Sequence, residues 1–257
     1  MTIRKTWARE AKEANLKVIF VIGIPPNATT QAEIKREAAT YGDLLQFAFT
    51  ENYFNITLKA IAELNWSARH CNGSAYLLRV DDDVIVNVPR LSAAIAEGKF
   101  RPGLTGQVEV TEAHREPAHK WYMPPRYYHA DSYTFIKGFG YLLSTDRLPK
   151  LLASMGRYRG FVLDIDDVYV TGVLADYAKI DRHHDVGFRH YCGGDVCVLE
   201  SSLVIYGCAF SAEAEAMYEE WKREAASKDC GNEVDGGSVA ETETTSPNNN
   251  STEVGEP

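Results

Sequence analysis

Asp81, Asp82 and Asp83 stand side by side, and three adjacent carboxylates repel one another and resist desolvation. They follow the short apolar run Ala75 to Val80, and apolar residues resume at Val84 and Val86. The triplet is therefore expected at the end of a buried strand. In an extended segment Asp81 and Asp83 point to the same side and can share one site. Oxygen ligands suit a hard divalent cation, Mn²⁺ or Mg²⁺, which takes its remaining ligands from substrate phosphates. The competing reading is a solvated acidic turn, and the flanking strand pattern favours the metal site.

A second acidic group, Asp164, Asp166 and Asp167, lies where a loop enters an apolar run from Val168 onward. Carboxylates at a helix start are stabilised by its free amides and dipole. Asp166 reads equally well as an N-cap and as a site residue. Asp167 can instead face a cleft as a proton acceptor, and acids of both kinds together suit a metal-held phosphate with proton abstraction beside it.

The elements that must hold these residues follow from apolar periodicity. Helices are expected at Arg4–Ala14, Gln31–Thr40 (capped by Thr29 or Thr30), Asn55–His70, Arg90–Ala96 after Pro89, Asp146–Met155, Asp167–Tyr177 and Ala212–Ala225. The stripe of the third runs through Ile56, Leu58, Ala60, Ile61 and Leu64. Strands are expected at Leu16–Ile22, Asp43–Phe49, Ala75–Val80, Leu104–Val108, Gly140–Leu143 and Val196–Ile205. The early alternation of helix and strand predicts an α/β fold with a mostly parallel central sheet covered by helices, and ligands at the carboxyl ends of its strands.

The chain has 257 residues, 45% of them hydrophobic, enough for one large α/β domain with a real core. Its net charge of −9 argues against nucleic acid as a partner. Seven acids against Lys228 lie between Ala226 and Pro257, so the body is nearly neutral. That stretch is poor in large apolar residues and is expected to be a disordered acidic tail, residues 227–257, behind a folded domain of residues 1–226. The longest apolar run, Val18 to Ile24, has strand length and falls far short of the ~20 residues a membrane span needs. Asn-x-Ser/Thr sequons at Asn27, Asn55, Asn65, Asn72, Asn249 and Asn250 lean toward a secretory lumen. There Cys192 and Cys197 could pair. No Cys-x-x-Cys, P-loop or Gly-x-Ser-x-Gly is present.

Six segments in order, IRKTW, YGDLLQFAFTENYFNITLKAI, YLLRVDDDVIVN, KWYMP, GFGYLLS and DIDDVYVTGVL, together resemble the β-1,3-galactosyltransferase and N-acetylglucosaminyltransferase family, glycosyltransferase family 31. The resemblance spans Ile3 to Asp181. It implies a GT-A (Rossmann-like) glycosyltransferase fold and an inverting transfer of a sugar from a UDP-sugar, with Mn²⁺, to the 3-hydroxyl of a glycan on a glycoprotein or glycolipid. It also implies a luminal domain held at the Golgi membrane by an anchor upstream of this chain. Asp83 would hold the metal with Asp81, Asp82 would contact the donor, and Asp167 would be the base. Arg4, Tyr41, Asp43, Lys59, Gly138 and Gly140 match donor-side motifs; Trp121, Tyr122 and Asp166 match acceptor-side ones.

The chain departs from the family in two places. Ser132 to Gly138 lacks the usual prolines and cysteine, and Val204-Ile205-Tyr206-Gly207 stands where a metal-binding histidine is common, with His183, His184 and His190 out of register. The first strand of the nucleotide fold is expected upstream of IRKTW, which makes a fragment or an incomplete coding sequence the expectation. Two other readings are a non-catalytic relative acting as chaperone or glycan binder and a Mg²⁺-dependent nucleotidyltransferase; the intact acids speak against the first, and the later motifs against the second.

Overall fold

A computed structural model describes residues 2–71, 73–191, 195–206, 214–228 and 230. The N-terminal helical stretch is broken at Thr6 into α1 (Thr2–Lys5) and α2 (Trp7–Glu13), because the Thr6 hydroxyl turns back onto the Thr2 and Ile3 carbonyls. Strand β1 (Phe20–Ile24), helix α3 (Ala28–Tyr41) and strand β2 (Leu44–Thr50) form a parallel βαβ unit. Asn27 caps α3 by accepting from the Thr30 amide, two to three residues ahead of the threonines expected to do so. Gly42 closes the helix at φ 67°, where a side chain would be strained.

Helix α4 (Ile56–His70) buries Thr57, Ala60, Leu64 and Ser67 along one face, and Leu58, expected in the stripe, is exposed. Next come β3 (Tyr76–Val80), β4 (Val84–Val86) and α5 (Val88–Ala96), the last capped by Asn87 with a proline in its first turn. β5 (Leu104–Glu112) and β6 (Ser132–Ser144) form a long antiparallel pair, followed by α6 (Leu148–Arg157). Val168–Leu174 is a π-helix running into α7 (Ala175–Ala178). β7 (Arg182–His184), β8 (Phe188–His190), α8 (Val196–Ser201), β9 (Val204–Tyr206) and α9 (Ala214–Ala225) complete the described elements.

The fold is mixed α/β, and the sheets are less parallel than the alternation implied. One sheet is the parallel pair β1-β2; a second has the order β3-β6-β5-β7; a third has the order β4-β9-β8. Among the described residues β3-β6, β5-β6 and β4-β9 pair antiparallel, while β1-β2, β5-β7 and β8-β9 pair parallel. The stretch expected as one strand, Val196–Ile205, is a short helix and then a strand. Asp195 caps the helix by accepting from the Cys197 amide, which starts a helical turn in a β-branched run. The cysteine expectation fails with it: Cys197 is bonded to Cys230, because α8 packs on α9 and brings its second residue to the segment beyond that helix. Cys192 lies outside the described residues, as does the expected disordered tail apart from Ser227, Lys228 and Cys230.

Strand β6 divides two cores. Tyr133, Phe135, Ile136, Tyr141 and Leu143 face α4, α6 and the π-helix, while Phe139 and Leu142 face α2, α5, β9 and α9. Both sides are covered, so the centre of the β3-β6-β5-β7 sheet is buried on each face. β3 ends against the middle of β6, Val80 opposite Gly140, and that junction carries the two acidic segments.

Candidate active site

At the end of β3 the Asp81 amide donates to the Phe139 carbonyl at 3.1 Å, so the triplet leaves the sheet beside Gly138 and Gly140. The chain re-enters structure at once in β4, whose pairing with β9 fixes the far side of the turn. From across β6, Asp167 at the head of the π-helix reaches the same place. Its Oδ2 accepts from the Gly138 amide at 2.9 Å and its Oδ1 from the Val168 amide at 2.8 Å. A methyl group added to Gly138 would lie 3.1 Å from that Oδ2 and 3.2 Å from the Asp167 Cβ, so glycine is what lets the carboxylate dock. Gly140 is close-packed for another reason: a Cβ there would meet Val204 and Val80 side chains, which are core.

The two acidic segments are joined by Arg79, whose side chain lies in the sheet interior at 9% exposure. Nη1 meets Asp81 Oδ1 at 2.9 Å and the Gly138 carbonyl; Nη2 donates to Asp166 Oδ2 at 2.7 Å; Nε faces Glu63 Oε1 at 3.5 Å. Arg79 and Glu63 were not among the expected site residues. The available signal was a lone charge inside Tyr76-Leu77-Leu78-Arg79-Val80, two residues before Asp81 and hence on its side of the strand.

Burial sets the proton affinities here. Asp167 is pushed up to about 7, chiefly by desolvation and then by the charge of Asp166, against the pull of its two amides and of Arg79. Asp81 is raised to about 6 by desolvation, offset by Arg79 and reinforced by Asp166, Asp83 and Asp82. Glu63 is raised to about 7 by burial despite Arg79. Asp83 is also raised, by desolvation and then by Asp82. Asp83 Oδ1 is buried and has no hydrogen-bond partner, an orphaned acceptor that a hard cation would satisfy. Among the described residues no group of three or more His, Cys, Asp or Glu is gathered to hold a metal by itself. Asp82 is exposed.

The remaining residues expected at the site fall into two groups. Arg4 is enclosed, bidentate to Asp43 at 2.7 and 2.8 Å, bonded to Glu37 at 2.6 Å, and set 4.5 and 4.2 Å from the Phe20 and Tyr41 rings. Asp43 is held below the usual carboxylate range by that arginine. Lys59 bonds Glu51 at 2.7 Å, and Glu51 also accepts from the Gly23 amide, so Lys59 braces the carboxyl end of the β1-β2 pair. Trp121 is 44% exposed, donates to Tyr53 at 3.4 Å and lies beside His119; Lys120 covers the Tyr53 and Trp121 rings. Tyr122 is half-buried. The 3-10 turn bearing Tyr53 leads into α4, whose Thr57 donates to the Leu163 carbonyl next to Asp164.

The galactosyltransferase family model matches residues 1–186. Beta-1,3-galactosyltransferase 2 of Mus musculus is 33% identical over 189 residues, 70% of this chain and 44% of that protein. An acetylgalactosaminyl-O-glycosyl-glycoprotein beta-1,3-N-acetylglucosaminyltransferase of Mus musculus is 32% identical over 200 residues, 74% of this chain and 50% of that protein. The chain thus spans about half the length of these curated relatives. Among solved structures, a glycosyltransferase involved in glycosylation of the major capsid of PBCV-1 aligns with a TM-score of 0.34 at 12% identity, over 80% of this chain and 98% of that one.

Proposed function

This chain belongs to the galactosyltransferase family, and from that premise we propose that it is an inverting hexosyltransferase moving galactose or an N-acetylhexosamine from a UDP-sugar to a glycan 3-hydroxyl in a β-1,3 linkage. The observation that carries the reading is the meeting of Asp81 and Asp166 on one buried guanidinium. It makes one site of two acidic segments distant in sequence, with Asp167 beside it.

Asp167 has both oxygens fixed by amides, and with its affinity raised to about 7 it suits a base working near neutrality. It would take the proton of the acceptor hydroxyl as that oxygen forms a bond to the anomeric carbon. The bond from that carbon to the diphosphate breaks, and its electron pair leaves with UDP. Asp83, with its unpartnered buried oxygen, would hold Mn²⁺ or Mg²⁺, with Asp81 beside it engaged by Arg79; when bound, the cation supplies charge neutralisation for the departing diphosphate. Asp82, exposed beside them, would reach the donor's ribose or sugar. Arg4, Tyr41, Asp43 and Lys59 would act on the donor side by bracing the βαβ unit, since Arg4, Asp43 and Lys59 are satisfied by protein partners. The donor-side role expected of Gly138 and Gly140 is replaced by a packing one: the space at Gly138 is taken by Asp167 and that at Gly140 by Val80 and Val204, which leaves no room for a sugar against the backbone. Trp121, with Tyr53 alongside and Tyr122 next to it, offers an aromatic face for an acceptor sugar; Asp166, expected on that side, is instead buried on Arg79.

The proposed setting is a Golgi lumen with a membrane anchor outside this chain; among the described residues no helix is long and apolar enough to cross a membrane. A panel of UDP-sugars, assayed for UDP release with glycan acceptors in Mn²⁺ and in EDTA, tests the reading. Release and transfer are expected with one hexose donor in Mn²⁺, lost in EDTA and reduced at least a hundredfold in Asp83→Asn. Full transfer by Asp83→Asn would refute the metal assignment, and silence across the panel would favour a non-catalytic glycan binder.

A further inference from the structure

Asp81 and Asp83 are separated by one residue, yet their surroundings differ. Asp81 Oδ1 is in contact with Arg79, whereas Asp83 Oδ1 is buried with no partner. A cation on Asp81 would be close to a guanidinium that cannot lose its charge, and two positive charges a few ångströms apart in a poorly solvated site repel strongly. Arg79 is also overcommitted in the opposite sense: three carboxylates, Glu63, Asp81 and Asp166, face its three nitrogens. A guanidinium holds its donors on three separate nitrogens in a fixed plane, whereas an ammonium gathers three donors on one rotating nitrogen.

We infer that Arg79 is a positioning residue that withdraws Asp81 from the cation and anchors Asp166 and the Gly138 backbone against which Asp167 rests. The inference builds on the sugar-transfer reading and narrows it. Gly138 is the shared part: its carbonyl accepts from Arg79 while its amide donates to Asp167. Loosening Arg79 therefore moves the base, and at the same time frees Asp81 to act as a ligand.

The consequence is that metal affinity and turnover change in opposite directions, which loss of structure alone would not produce. Mn²⁺ is titrated into the full chain without substrate, free Mn²⁺ being counted by electron paramagnetic resonance, and turnover is measured separately. Arg79→Gln should bind Mn²⁺ roughly three- to tenfold more tightly and turn over at least tenfold more slowly. Arg79→Lys, which restores the charge without the fork, should recover the wild-type Mn²⁺ affinity but not the rate. Asp81→Asn should keep Mn²⁺ affinity within about threefold, and Asp83→Asn should weaken it at least thirtyfold. If Arg79→Gln fails to fold, the Asp81 and Asp83 variants decide. Equal weakening by those two, with wild type binding Mn²⁺, overturns this inference alone. A wild type that binds no Mn²⁺ overturns the cation reading itself, and this inference with it.

Discussion

Gly138 sets how near Asp167, the proposed base, can come to the sheet. Its missing side chain leaves Asp167 Oδ2 on the strand's own amide, and a methyl there would press on three atoms of the aspartate between 3.1 and 3.3 Å away. Gly138→Ala should therefore displace the carboxylate by a few tenths of an ångström and lower kcat roughly ten- to hundredfold, since small misplacements of reacting groups are costly. The donor KM should change little, and steady-state kinetics on the folded variant checks the split. An unchanged kcat would mean that the docking at Gly138 has no part in the chemistry. The aspartates of this site were legible in the sequence because adjacent carboxylates at the end of an apolar run have few reasons to exist. Arg79 and Glu63 were not, because what marks them is a three-dimensional fact: one guanidinium on β3 faces a residue of α4 and a residue ahead of the π-helix. Arg4, Asp43 and Lys59 were visible as motif residues, but that most of their polar groups are satisfied by Glu37, Glu51 and one another could only be seen in the fold.

The π-helix carries Asp167 at its start, and one threonine ties it to the sheet. Thr171 Oγ1 accepts from the Ile136 amide at 2.8 Å, and its hydroxyl is within hydrogen-bond distance of the Ile136 carbonyl at 3.1 Å and the Asp167 carbonyl at 2.6 Å. Its side chain is fully buried. Thr171→Val keeps the shape but leaves a buried amide on β6 without a partner, a change that costs about 1–3 kcal/mol. Chemical denaturation should show that loss; a variant as stable as wild type would contradict the tie. The same level explains why some elements were read well and others badly. Helix α4 has a long apolar periodicity, and its extent was legible, though Thr57 and Ser67 belong to the buried row in place of Leu58. Strand β6 runs from Ser132 to Ser144, yet only its last third looked like a strand, because Lys137, which pairs with Glu109, and Gly138, which admits Asp167, interrupt the apolar pattern. The register of β7, β8 and β9, three residues each, is set by partners far away in sequence, which local periodicity does not encode.

For the molecule as a whole, burying acids has a thermodynamic signature. Glu63 and Asp167 are raised to about 7 and Asp81 to about 6, so each binds its proton more tightly folded than unfolded. Between the ordinary carboxylate range near 4 and about 7, folding takes up protons, and stability must fall as pH rises across that window. Asp43, held low by Arg4, acts in the opposite sense at the acid edge of that window; His114, lowered by burial, does so as pH falls through its ordinary value of about 6.5. The melting temperature in EDTA should be higher at pH 5.5 than at pH 7.5, and Glu63→Gln should shrink the difference. A midpoint that rises with pH would mean that the acid cluster is not buried as described.

The central proposal is that Asp167 deprotonates an acceptor hydroxyl while the donor is held by the acidic triplet on the other side of Arg79. Its direct test is Asp167→Asn, assayed for sugar transfer in saturating Mn²⁺ and for UDP-sugar binding in the same buffer. Transfer should fall by about 10²–10⁴-fold with the donor Kd within a few-fold of wild type, and in wild type kcat should drop as pH falls below about 7. Transfer within tenfold of wild type, or a wild-type rate that stays flat down to pH 5, would contradict the role assigned to Asp167.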